Sequence, residues 1–159
     1  MKEYFSSQIG QLLLQFDEGV LTKLLFNQDS LQTRNNDNEE HHIKKVSARV
    51  VDQLSSYFLA PKKFENIPFR LIGTEFQRRV WSELQNIPLG ETRTYGQIAE
   101  IVKSSPRAVG NACRNNPILI IIPCHRVVST TGIGGFSGEQ SGEKINIKRW
   151  LLAHEGVQL

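Results

Sequence analysis

Cysteine is scarce in this chain, with only Cys113 and Cys124 among 159 residues. So few thiols exclude a disulfide-stapled secreted scaffold, and the pair reads as free thiols of a reducing compartment. Long apolar runs are missing too. The longest, residues 118–122, falls far short of the roughly 18–20 residues that cross a bilayer and suits one buried strand. The opening Met1-Lys2-Glu3-Tyr4-Phe5 has no apolar core of a secretory signal. A cytoplasmic address without a membrane partner is therefore expected. Gly and Pro, at 12 and 6, are too few for a collagen-like or low-complexity chain, and 39% hydrophobic residues exclude wholesale disorder. His41-His42, Cys113, Cys124-His125 and His154 match no established ligand spacing, so no metal is expected.

Charge of one sign is also in short supply, at a net +3, but its distribution is uneven. Residues 1–66 hold 8 Lys and Arg against 9 Asp and Glu, and residues 67–159 hold 11 against 7. The halves carry −1 and +4. An Arg-rich basic half fits a polyanion partner, because phosphate contacts release counterions from nucleic acid; a chance asymmetry of the surface fits equally well.

What is present is strong local patterning. Apolar residues around 4–6, 12–16 and 20–26 are separated by turn chemistry at 8–10 and at Asp17-Glu18-Gly19, which predicts an antiparallel meander. Residues 32–40 are polar and Asn-rich and read as an exposed loop. From 41 to 59, Ile43, Val46, Val50 or Val51, Leu54, Tyr57 and Phe58 recur at helical spacing. Asn66-Ile67-Pro68 punctuates the chain at the charge shift, so a domain boundary is expected there, giving domains 1–66 and 67–159. Beyond it, Thr74-Glu75-Phe76-Gln77 fits a capping box for a helix over 75–86, and Thr94-Tyr95-Gly96-Gln97 fits a second one, opening a helix over 97–103 with Ile98, Ile101 and Val102 inward. Ser104-Ser105-Pro106 breaks that helix and starts another over 107–115. Helix, three-residue turn, helix is the spacing of a helix-turn-helix. On its second helix Val109, Ala112 and Cys113 can face the core. Arg107, Asn111 and Arg114 then form the outer stripe, and Ala108 and Gly110 keep the backbone low enough to approach a nucleic acid. An ordinary surface helix has the same spacing.

Pro123-Cys124-His125-Arg126 carries the chemistry. A thiolate is the reactive form of cysteine, and an adjacent imidazole is a plausible activator. Neighbours in a strand face opposite ways, so Cys124 and His125 cooperate only at a bend or through water. The imidazole also needs an orienting acceptor, for which Glu155 is the candidate. A buried structural cysteine beside a surface histidine is the plain alternative.

Gly73-Thr74-Glu75-Phe76-Gln77 with Val80-Trp81, Gly90-Glu91-Thr92, Thr94-Tyr95, Arg107-Ala108-Val109-Gly110, Asn115-Asn116-Pro117, the block 122–128 and Trp150-Leu151-Leu152-Ala153-His154-Glu155-Gly156 occur in order across 73–159. In these the chain closely resembles the O6-alkylguanine-DNA alkyltransferases, the methylated-DNA–protein-cysteine methyltransferases. The resemblance implies an α+β protein: a small N-terminal antiparallel sheet plus helix, ribonuclease-H-like, then a mainly helical domain with the helix-turn-helix. It implies a monomer that binds duplex DNA in the minor groove, with Arg107, Ala108, Gly110, Asn111 and Arg114 at the interface and Arg107 filling the space of a flipped nucleotide. Cys124 would take the alkyl group from O6-alkylguanine, and from O4-alkylthymine, irreversibly and without a cofactor. His125, through water, and Glu155 would generate the thiolate. Tyr95 would hydrogen-bond the guanine and relieve its charge. Asn116 would join recognition helix to active site, or simply end the helix before Pro117. Backbone carbonyls at Cys124 and Val127, with Phe136 and Ser137, would line the base pocket. Trp81 and Trp150 read as core anchors rather than stacking platforms.

Phe136 stands where many relatives have tyrosine, Glu139 replaces a glycine, and the loop 138–146 looks longer than in many of them. The balance between methyl and bulky adducts is thus open. A damage-binding, non-reactive helix-turn-helix protein and a Cys–His hydrolase are the alternatives; the intact Cys124 speaks against the first.

Overall fold

The computed structural model describes residues 1–27, 41–138 and 142–158, without the side chains of 41–44. The predicted polar loop at 32–40 and Glu139 lie outside these. The chain forms two compact units, Met1–Ile72 and Gly73–Leu159.

In the first unit, β1 (Lys2–Ser7), β2 (Gly10–Asp17) and β3 (Val20–Phe26) form an antiparallel sheet in sequence order, as the turn signals predicted. Glu18 and Gly19 both take positive φ, 49° and 78°, and Asp17 pairs with Val20. This is the two-residue primed turn whose twist matches the strands it joins. Leu12, Leu14 and Phe16 alternate into the core and meet Leu21 and Leu24 of β3. Helix α1 (His41–Leu59) packs on β1 and β3 and buries Val46, Val50, Leu54, Tyr57 and Phe58. Val50, not Val51, holds the core position. The unit extends past the boundary expected at Asn66. Leu21 donates its N–H to Pro68 O and accepts from Arg70 N, both at 2.9 Å, which ties residues 68–70 to the edge of β3.

The second unit is mainly helical. Both capping boxes form. Thr74 and Gln77 cap α2 (Glu75–Leu84), and Thr94 and Gln97 cap α3 (Tyr95–Val102), which therefore starts at Tyr95, ahead of the predicted Gln97. Lys103 closes α3 at φ 55°. Ser105 then accepts from Ala108 N and Pro106 opens α4 (Pro106–Arg114). The three helices pack together around Trp81, whose indole N–H donates to Ala112 O at 2.8 Å. Ile101 corrects the prediction: it is 56% exposed, and Ala99 takes the inward place, because Ile98, Ala99 and Val102 define the i, i+1, i+4 stripe that faces α2 and α4.

Residues 118–122 are not a strand. They coil into a compact buried turn, with Ile121 N donating to Leu119 O and Ile122 N to Ile118 O, and Ile120 at φ 71°. Apolar content marked burial correctly but could not specify extension. The chain continues as a single 3₁₀ turn (Cys124–Arg126), strand β5 (Val127–Val128) and, later, α5 (Glu143–His154). Helix α5 therefore includes residues 143–146, which were expected to be loop. Strand β4 (Arg93–Thr94) pairs in parallel with β5. Among the described residues no helix is long and apolar enough to cross a membrane.

Candidate functional site

The bend that Cys124 and His125 need is present, because both lie in the 3₁₀ turn. The turn follows the compact 118–122 segment, and Asn116 holds that segment closed. Its Oδ1 accepts from Ile118 N at 3.0 Å and its Nδ2 donates to Ile122 O at 2.8 Å. Cys124 N donates to the same Ile122 carbonyl at 2.8 Å. The end of α4 is thereby linked to the cysteine through one buried amide.

Burial pushes the Cys124 thiol up, and the Asn116 amide, the Lys148 charge and the N–H groups of Cys124 and His125 oppose that rise. In the same turn, His125 Nε2 stands 2.8 Å from Glu155 Oε1. Arg126 donates to both oxygens of that carboxylate, each at 2.9 Å, and also to Ile87 O at 2.8 Å. Burial favours the neutral Glu155, but the hydrogen bonds and charges of His125 and Arg126 outweigh it and hold the carboxyl well below its ordinary value. Burial also lowers His125, against the pull of Glu155. An ionised Glu155 accepting from Nε2–H leaves a neutral imidazole with its lone pair on Nδ1. Among the described residues that buried Nδ1 has no hydrogen-bond partner.

Thr94 ends β4 and caps α3, so the pairing of β4 with β5 sets Tyr95 beside the chain that leaves the 3₁₀ turn. The Tyr95 hydroxyl donates to Gly135 O at 3.3 Å. Burial, with Cys113 and Cys124 nearby, pushes this phenol up and keeps it protonated. Gly134, at φ 76°, passes so close that a Cβ there would lie 2.9 Å from the Tyr95 ring.

Tyr95, Cys113 and Cys124 line a cleft of about 1170 Å³ together with Arg107, Ala108, Gly110, Asn111 and Arg114 of α4 and the loop bearing Phe136 and Ser137. Arg107, Asn111 and Arg114 are exposed, and Val109 and Ala112 are buried. Asn116, His125 and Glu155 are buried outside the cleft lining. Val127 is also buried outside it, with its carbonyl accepting from Lys148 Nζ at 2.6 Å. Neither tryptophan lines the cleft: Trp81 is in the core, and Trp150 stacks on His154 with ring centres 4.6 Å apart. No cluster of metal-ligating side chains occurs among the described residues.

Sequence reasoning missed Arg126 and Lys148. Both are visible as charges at apolar positions. Arg126 continues a buried run, and Lys148 shares the buried stripe of α5 with Ile145, Leu151 and Leu152.

Residues 75–157 match the family model described as 6-O-methylguanine DNA methyltransferase, DNA binding domain. A methylated-DNA–protein-cysteine methyltransferase of Methanosarcina acetivorans is 40% identical over 96% of this chain and 96% of its own. One from Mycolicibacterium paratuberculosis is 42% identical over 94% and 88%. The crystal structure of Mycobacterium tuberculosis OGT in complex with DNA is similar at TM-score 0.78 and 38% identity, covering 97% of this chain and 91% of that one. The three-stranded sheet and helices observed here fit these relatives, and the chain belongs to the methylated-DNA–protein-cysteine methyltransferase family.

Proposed function

We propose that this protein repairs DNA by moving the alkyl group of O6-alkylguanine onto Cys124, once per molecule. The observation that carries the reading is the placement of Cys124 in a cleft walled by α4, with its neighbour in the 3₁₀ turn, His125, paired to the buried Glu155. The proton leaves Sγ for His125 Nδ1 through a bridging water, and the thiolate attacks the alkyl carbon in line. The carbon–O6 bond breaks as the thioether forms, and the electron pair stays on the guanine. Tyr95, a neutral phenol, turns its hydroxyl from Gly135 O to the base and relieves that charge. The thioether is not cleaved again, so the protein is a stoichiometric reagent and needs no diffusible cofactor.

We read α3 and α4 as a helix-turn-helix whose second helix enters the minor groove, with Ala108 and Gly110 against the backbone and Asn111 and Arg114 flanking them. Arg107, exposed on the first turn of α4, replaces a nucleotide rotated into the cleft. Phe136, Ser137 and the Val127 carbonyl hold the base. The first unit corresponds to the family's ribonuclease-H-like region, the protein acts as a monomer, and O4-alkylthymine is a second substrate. Guanine restoration in a duplex with one O6-methylguanine tests the reading. One lesion is repaired per protein in a single burst, and Cys124→Ala binds the duplex but restores none. Arg107→Ala slows repair in duplex far more than dealkylation of free O6-methylguanine. Repair by Cys124→Ala, or equal losses for Arg107→Ala on both substrates, would contradict it.

A further inference from the structure

Arg114 is the last residue of α4, and its guanidinium reaches across the cleft to the loop that forms the other wall. A Cβ on Gly138 would lie 2.9 Å from Arg114 Nε and 3.3 Å from both Cζ and Nη2. The guanidinium therefore occupies the space that a side chain at 138 would take. Ser137 and Gly138 both have positive φ, 48° and 84°, a conformation natural to glycine and costly for serine. The two residues set backbone without a side chain against the end of α4. The loop itself is tied to α5. Lys148 Nζ donates to Gly135 O at 2.9 Å, Lys144 Nζ donates to Ser137 O at 3.4 Å, and Phe136 between them is buried. Arg114 has no comparable tie: it is exposed, and among the described residues it pairs with no carboxylate.

We propose that Arg114 is a specificity-determining residue: seated on Gly138, its side chain bridges the two walls of the cleft and limits the bulk of the alkyl group that Cys124 can accept. The inference rests on Cys124 being the alkyl acceptor, and it gives Arg114 a steric task separate from any contact with DNA. Arg114, Gly138 and Cys124 all line the same cleft. Because residue 138 is a glycine, nothing on the loop side replaces the bridge once the side chain from α4 is shortened. A long uncharged side chain at 114 keeps the bridge. Reach, not charge, sets the limit on the adduct.

Arg114→Ala and Arg114→Ser shorten the side chain, whereas Arg114→Met keeps its reach without its charge. Circular dichroism establishes that each variant is folded, and either shortened variant suffices. The full chain is given free O6-methylguanine or free O6-benzylguanine, which takes DNA contacts out of the measurement. Transfer is read as mass gained on the tryptic peptide that carries Cys124, with the site assigned by fragmentation. In the shortened variants the benzyl-to-methyl rate ratio rises about tenfold. Arg114→Met keeps the ratio of the parent. A ratio that does not rise in the shortened variants, or that rises as far in Arg114→Met as in Arg114→Ala, overturns the proposal. A second readout needs no alkyl transfer: Cys124 is modified with iodoacetamide or with the larger 2-iodo-N-phenylacetamide. The large-to-small ratio follows the same order among the variants, and an equal ratio in all of them overturns the proposal as well. If the parent accepts no alkyl group from either base or from duplex DNA, the functional reading falls, and the pair of thiol reagents still decides whether Arg114 walls the cleft.

Discussion

His125 Nε2 lies 2.8 Å from Glu155 Oε1, and both side chains are fully buried. Glu155 thereby fixes which imidazole nitrogen is free to accept a proton, while Arg126 keeps the carboxylate ionised. Glu155→Gln removes the charge and lets an amide N–H donate to Nε2, which moves the ring proton to Nδ1. Transfer is expected to fall by at least about 10²-fold, and the unpaired Arg126 should cost about 3–5 kcal/mol of stability. Single-turnover rates and urea denaturation check the two effects separately.

Acid stability follows from the same pair. Glu155 is held below its ordinary value of 4.5, so its contribution is present above that pH and is lost as pH falls through the window beneath it. His125 is held below 6.5, so under that pH the unfolded chain binds the proton that the folded chain refuses. Both signs agree. The melting temperature should decline below pH 6.5 and more steeply below 4.5, and Glu155→Gln should flatten the lower part of that decline in a calorimetric pH series.

Asn116 bonds two buried backbone groups at once, and its amide favours the Cys124 thiolate. Asn116→Ala leaves Ile118 N–H unpaired and removes one of the two hydrogen bonds to Ile122 O, which keeps that from Cys124 N, at a cost of about 1–3 kcal/mol. Asn116→Asp keeps the acceptor for Ile118 but sets a carboxylate against Ile122 O and Cys124, so Cys124 should react more slowly with iodoacetamide at neutral pH. An unchanged rate would detach Asn116 from the cysteine's chemistry.

Gly134 bears on adduct size. Its φ of 76° disfavours any side chain, and a Cβ would meet the Tyr95 ring at 2.9 Å. Gly134→Ala should cost about 1 kcal/mol in stability. It should also slow transfer from O6-benzylguanine more than from O6-methylguanine, since the methyl group narrows the cleft. Paired rate measurements on the two bases check the ratio.

Local chemistry in the sequence carried much of this architecture. Turn residues at Glu18-Gly19 set the meander, and Thr74, Thr94 and Ser105 set the starts of three helices. What escaped depends on partners distant in the chain. Residues 68–70 fall beyond the boundary expected at Asn66, because nothing local shows that the edge of β3 binds them. The run 118–122 reads as a strand because its turn is imposed by Asn116 and by buried backbone bonds that apolar content does not encode. Strands β4 and β5 are two residues each, too short for any periodicity, yet they bring Tyr95 beside the 3₁₀ turn. Cys124, His125 and Glu155 were legible as residue types, and Glu155 as the candidate acceptor for an imidazole 30 residues away, but the part of Arg126 in that contact was not.

The most direct measurement is the mass of the Cys124 tryptic peptide after the protein is mixed with a slight excess of duplex bearing one O6-methylguanine. The account predicts that the peptide gains one methyl group in replacement of the thiol hydrogen, in equal number to the guanines restored, and that Cys113 remains free. An unmodified Cys124 alongside repaired DNA, or a methyl group found on another residue, would contradict it.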